Sequence, residues 1–246
     1  MKNDKFKDIH IQTSNERVVL FIHGIFASHI QFEELMERFL KRDYSIYGIA
    51  LKGHNNNLKD LTEATHEDWL KQVNEVLYKL LIEYKEVYIV AHSMGSLLTL
   101  LSDNLNSVKK VVLIAPAIKD KVSIDSLKLG LAMNNPKVKE PYIVETRRVK
   151  SVNFDSPTKM IYGIKPLLEL RKLIKKAKKH IHTVTTSMLI VISKKDENVR
   201  LIAGKYVYEH VSSEDKELLI LEKSYHTYFD PEEESMLYDK IVNYLK

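Results

Sequence analysis

The chain has 246 residues, and its 38 Lys+Arg against 33 Asp+Glu leave a formal net charge of +5. That length suits one α/β domain with room for an insertion, and 44% hydrophobic with 29% charged residues excludes disordered, collagen-like and coiled-coil classes. Cysteine is absent, so disulfides, thiolate metal sites, iron–sulfur clusters and a cysteine nucleophile are excluded.

Residues 1–10 are charged and lack an apolar h-region, and no run of about 18 apolar residues occurs anywhere. Neither a secretory signal nor a membrane-spanning helix is expected, and a soluble, cytoplasmic protein is the default. The first predicted strand, 18–23, ends in His23-Gly24 and turns through Ile25. A helix over 28–40 follows, with Ile30, Phe32, Leu35, Met36 and Phe39 near one face. Strand 45–50 leads through Leu51-Lys52-Gly53-His54 to a helix over 67–84. Strand 87–91 runs into Ala91-His92-Ser93-Met94-Gly95 and a helix over 93–103. After strand 111–115, nearly 70 residues carry no convincing strand pair. They divide into a segment over 123–134, a polar stretch with Pro136 and Pro141, and a helix over about 166–181. Strand 187–192, helix 199–211 and strand 217–221 complete the alternation. The last helix, 231–245, opens with Asp230-Pro231-Glu232-Glu233-Glu234: an N-cap, proline at the first helical position, and acids on the positive end of the helix dipole.

Alternating strands and helices imply an α/β fold, a mostly parallel central sheet with helices on both faces. The core is expected over 1–117 and 187–246, with a mainly helical cap inserted at 118–186. In such sheets ligands bind outside the carboxyl ends of the strands, so the residues after each strand bear inspection first.

Ala91-x-Ser93-x-Gly95 fits a nucleophile elbow, a tight strand-to-helix turn that lifts a serine clear of the sheet. Small residues two before and two after it let neighbouring backbone pass. The backbone N–H groups of Ile25 and Met94 are candidate donors to an oxyanion. His23 reads as a histidine that pins its loop. Asp196, just past strand 187–192, is the candidate acid, with Asp120 as the alternative; an aspartate before a helix is also an ordinary N-cap. His226 follows the last strand. Ser93, Asp196 and His226 thus lie past three strand ends in the order serine, acid, histidine, which fits a Ser-His-Asp triad. Such a triad needs no cofactor and no metal. No histidine lies in H-E-x-x-H or another metal-ligand spacing, and no phosphate-cradling glycine loop is present.

These residues resemble the α/β-hydrolase superfamily, in particular bacterial carboxylesterases and monoacylglycerol lipases. The resemblance runs from Val18 onward through His23-Gly24, Leu51-Lys52-Gly53-His54 with Asp68-Trp69, the elbow, Asp196, and Ser224-Tyr225-His226. It implies hydrolysis of a short- or medium-chain carboxylic ester, a monoacylglycerol among them, through an acyl-enzyme. Asn135-Pro136-Lys137-Val138-Lys139-Glu140 resembles a cap segment whose glutamate contacts a glycerol head, which makes Glu140 a candidate substrate contact; a solvent-facing glutamate is the alternative. The chain departs from the family at Ala91 and Ser96, where glycine is usual, and at Ile25, where phenylalanine is common. A thioesterase or acyltransferase with the same triad, and a non-catalytic ligand-binding relative, stay open as alternatives.

Charge is distributed unevenly. Residues 119–182 hold 16 Lys+Arg and 6 Asp+Glu, a net +10, against −5 for the rest. The basic helix 166–181 admits three readings: a packed helix with solvated charges, a transient membrane-surface contact that feeds lipid substrates, or attraction of anionic substrates. Nucleic acid is not an expected partner, since no aromatic–basic interleaving accompanies the charge.

Overall fold

Apolar runs of strand length become strands in the computed structural model, which describes residues 4–119, 137–154, 159 and 161–246. They are β1 (Ile9–Ile11), β2 (Arg17–Ile22), β3 (Ser45–Gly48), β4 (Glu86–His92), β5 (Lys110–Ile114), β6 (Met188–Ser193) and β7 (Lys216–Leu221). The strands form one sheet in the order β1-β3-β2-β4-β5-β6-β7. β1 runs antiparallel to β3, and the other pairs are parallel. The helices are α1 (Glu33–Leu40), α2 (Leu58–Glu63), α3 (His66–Glu83), α4 (Met94–Leu100), α5 (Pro141–Val149), α6 (Ile164–His180), α7 (Leu201–His210) and α8 (Pro231–Tyr244).

Side chains alternate across a strand, so each strand feeds two cores. Val18, Leu20 and Ile22 of β2 join Trp69, Val73 and Leu77 of α3 and Leu97 and Leu98 of α4 on one face. Val19 and Phe21 join Leu35, Met36 and Phe39 of α1 and Leu237 and Ile241 of α8 on the other. Both faces are covered, which is why the parallel strands read as unbroken apolar runs rather than as alternation. Local chemistry fixes the helix starts. Thr65 and Asp68 make a capping box on α3, and Asp230 accepts from the Glu232 N–H at the start of α8.

Three elements go beyond the expected set. β1 is a three-residue edge strand, and α2 is a six-residue helix capped by Asn57, whose side chain accepts from the Lys59 and Asp60 amides. The stretch around Pro141, expected as polar and irregular, is a helix with that proline in its first turn, where the missing N–H costs nothing. The basic helix begins at Ile164 and sends Leu170, Leu173, Ile174 and Ala177 into the same core as α3 and α4. The segment 123–134 lies outside the described residues. Among the described residues no helix is long and apolar enough to cross a membrane.

Candidate active site

At the end of β4 the chain turns at Ser93 with φ 54° and ψ −115°, a conformation that costs a non-glycine residue roughly 1–3 kcal/mol. The turn is held by the Ser93 N–H donating to Ile114 O at 2.9 Å, while Ser93 O accepts from Ser96 N at 3.1 Å. Gly95 cannot be larger: a Cβ there would lie 2.3 Å from Ile22 O and 2.8 Å from His23 O. The strain is thus imposed by two neighbouring strands that leave the elbow one path.

β6 and β7 bring the other two groups. His226 Nε2 lies 3.1 Å from Ser93 Oγ, and His226 Nδ1 lies 2.8 Å from Asp196 Oδ2. Asp196 Oδ1 accepts from the backbone N–H groups of Asn198 and Val199 at 2.8 and 2.7 Å, so it also serves as the N-cap-like anchor its position suggests. With the carboxylate accepting, the Nδ1–H tautomer leaves Nε2 free to accept from the serine hydroxyl. Ser93, Asp196 and His226 are all buried. Burial opposes ionisation of Asp196, but His226 and the two amides outweigh it and hold its carboxyl below the usual range. Burial likewise opposes charging of His226, and Asp196 outweighs it, so the imidazole is held above the ordinary 6.5.

The loop after β2 faces the elbow. A Cβ on Gly24 would come within 3.0 Å of Ser93 Cβ, and Phe26 takes φ 61° to complete the turn. Among the described residues the amides of Ile25 and Met94 donate to no protein group. His23 pins this loop: its Nε2 accepts from Leu51 N at 3.1 Å, so its Nδ1–H donates to Gly24 O at 2.8 Å. Burial drives its pKa well down. The Gly-His segment is likewise structural. Lys52 O accepts from Trp69 Nε1 at 2.9 Å, and His54 stacks edge-on to both His23 and Trp69, with burial pushing its pKa down to about 4.

Glu140 stands exposed at the N-cap of α5, and its side chain makes no capping hydrogen bond. Asp120 lies outside the described residues. Several site residues carried no sequence signal. Glu197 accepts the His226 backbone N–H at 3.0 Å. His92 Nε2 donates to His226 O at 2.8 Å, and its pKa is pushed down to about 3, by burial first and His226 second. Glu233, in the first turn of α8, accepts from the Glu222, Lys223 and Ser224 amides and from Ser224 Oγ, which shapes the loop before His226. The acidic start of α8 could have pointed there, although it reads equally as a dipole partner.

α5 spans the site. Ser28 Oγ donates to Val149 O at 2.7 Å, and Ser151 N donates to Phe26 O at 2.7 Å on the oxyanion side. On the histidine side Tyr142 stacks on Tyr225 (4.4 Å, 9°), and the Thr146 and Thr227 hydroxyls meet at 2.7 Å. Elsewhere, His66, Glu67 and Glu169 bring ligand atoms within 4.8 Å of one another. Each nitrogen of His66 already meets a carboxylate, Lys172 lies 2.8 Å from Glu169, and Lys176 lies 3.6 Å from Glu67. The group is an ion-pair cluster joining α3 to α6.

A family model described as serine aminopeptidase, S33 (Hydrolase_4) matches residues 13–234. A thermostable monoacylglycerol lipase of Bacillus sp. strain H-257 is 27% identical over 222 residues, 85% of this chain and 82% of that one. The carboxylesterase of Bacillus subtilis strain 168 is 22% identical over 237 residues, 94% and 93% of the two chains. Among solved structures, one from work on the metagenome-derived lipolytic enzymes LipS and LipT aligns with TM-score 0.75 at 22% identity over 98% and 97% of the chains. The Paleococcus ferrophilus monoacylglycerol lipase aligns with TM-score 0.69 at 16% identity over 97% of each. These two structures share the α/β-hydrolase fold.

Proposed function

The chain belongs to the Hydrolase_4 (serine aminopeptidase S33) family of α/β-hydrolases and is a serine hydrolase, and on that premise we propose that Ser93, His226 and Asp196 carry its cleavage of carboxylic esters. The observation behind this reading is the unbroken hydrogen-bonded line from Ser93 Oγ through the imidazole to Asp196. His226 takes the Ser93 proton as Oγ attacks the acyl carbonyl, and Asp196 orients the imidazole and stabilises the imidazolium. The Ile25 and Met94 amides receive the developing oxyanion; one such donor is worth roughly 2.7–4 kcal/mol. His226 then protonates the leaving alcohol and later activates water to release the acid.

The substrate class is a short- or medium-chain ester, with monoacylglycerol in the foreground because a lipase of that name matches along most of the chain. Glu140, at the head of the helix that borders the site, accepts from hydroxyls of the glyceryl head. The test is an acyl-chain series of nitrophenyl esters beside monoacylglycerols and matched thioesters, with wild type and Glu140→Gln. Monoacylglycerol turnover that falls selectively in the variant supports the contact; faster thioester turnover overturns the ester preference. Fluorophosphonate that leaves wild-type Ser93 unlabelled would overturn the serine mechanism.

The partner of the outer face of α6 is an anionic lipid surface. Glu169, the lone acid of this helix, is turned inward to His66, so the outward charges of Lys165, Arg171, Lys175 and Lys179 are of one sign. Ile161 (65% exposed), Ile164 (54%) and Leu168 (47%) stand beside them. A cationic face with an apolar end suits a headgroup layer. The protein should co-sediment with phosphatidylglycerol vesicles at low salt and less at physiological salt; no binding at low salt overturns it.

A further inference from the structure

The loop that carries His226 is held through its backbone as well as its ring. His226 O accepts from His92, and His226 N donates to Glu197 Oε2 at 3.0 Å. Glu197 is only 6% exposed, and its other oxygen accepts from Asn198 Nδ2 at 3.0 Å. Burial pushes its carboxyl up; His226 pulls against that, and Asp196 adds to it. A neutral amide or hydroxyl would satisfy the same N–H without the cost of burying a carboxylate. The choice of a carboxylate is explained if its charge serves the imidazole. Among the described residues, the groups facing His226 are Asp196 and Glu197 from the loop after β6, and His92 and Ser93 from the end of β4. Burial keeps His92 neutral near pH 7, and the charges of Asp196 and Glu197 both favour the protonated ring.

We propose that Glu197 is a positioning residue for the reaction: it fixes the His226 loop through its backbone and sets a second negative charge beside the imidazolium that forms as Ser93 attacks. This rests on His226 acting as the base. It adds a separate role to the loop, since Asp196 already orients the ring.

The test compares wild type, Glu197→Gln and Glu197→Ala in kcat and KM across the pH range, with fluorophosphonate labelling to count active sites. Gln keeps an oxygen for the His226 N–H and removes the charge. We expect Glu197→Gln to lower plateau kcat about threefold and to move the acid limb of kcat/KM down by roughly half a pH unit. Glu197→Ala also frees the backbone and should lower kcat about tenfold at little-changed KM. A Glu197→Gln limb that superimposes on the wild type, with normal Ser93 labelling, overturns the role of Glu197 alone. Absent labelling of the wild type overturns the serine–histidine assignment and this proposal with it. If Glu197→Ala fails to fold, the Gln variant decides.

Discussion

α5 and α6 both lie between β5 and β6 in the chain, yet they are attached to the molecule in opposite ways. α6 buries Leu170, Leu173, Ile174 and Ala177 in the core it shares with α3 and α4. α5 buries only Ile143 and Val149, and it is tied down by hydroxyls, carbonyls and a ring stack to the two loops that flank Ser93. Packing makes α6 part of the body; polar contacts make α5 part of the candidate site. Position in the chain, which the two share, therefore says little about what a helix between these strands does.

The comparison breaks at its root if α5 borders no active site. Ser93→Ala should lower ester turnover by at least about 10⁴-fold without lowering the melting temperature; retained turnover in a nitrophenyl ester assay would refute it. Asp196→Asn should lower turnover far more than Asp120→Asn in the same assay, and the reverse result would move the acid. The contrast itself is sharpened by one substitution in each helix. Leu173→Ala in α6 should cost about 2–5 kcal/mol in urea unfolding while kcat stays near wild type. Tyr142→Ala in α5 should cost about tenfold in kcat/KM, with a stability loss of only about 1 kcal/mol. Equal effects of the two on both readouts would erase the distinction.

Proton titrations give smaller effects. Because Asp196 holds the His226 pKa above 6.5, the neutral base is depleted until higher pH, and kcat/KM should rise through a midpoint above 6.5 in a pH–rate profile. A midpoint below it would contradict the pairing. For Glu169 in the α6 cluster, burial works upward, but Lys172 and His66 outweigh it and hold the carboxyl at about 2. The depressed value means its stabilising contribution is present above about 4.5, the ordinary carboxyl value, and is lost as pH falls toward 2. Glu169→Gln should flatten part of the acid-induced fall in melting temperature. An unchanged slope would show that this cluster does not help to dock α6.

What was legible in the sequence follows from periodicity and order. β2 and β4 to β6 are buried on both faces and β7 is partly buried, with an apolar run of its own, so these runs stand out, and Ser93, Asp196 and His226 follow their strands in chain order. β1 has three residues with only partial burial, too few for a pattern. α5 was hidden because Pro141 reads as a break when it is a first-turn proline, and because two buried residues make no stripe. Glu197 was hidden by its neighbour: a second acid beside a candidate acid reads as surface charge until a fold turns one toward the ring and the other toward the backbone. The basic stripe of α6 was legible as amphipathic, but its shared core with α3 and α4 depends on contacts far apart in the chain.

The neutral histidines have a consequence for spectroscopy. His23, His54 and His92 cluster around the elbow with pKa values driven far below neutrality by burial, while His226 alone among these four is driven upward. In a ring-proton NMR titration through neutral pH, three of these four resonances should stand still and one should move. The group proposed as the base would thus report its own protonation, free of overlap from the His92 imidazole packed against it.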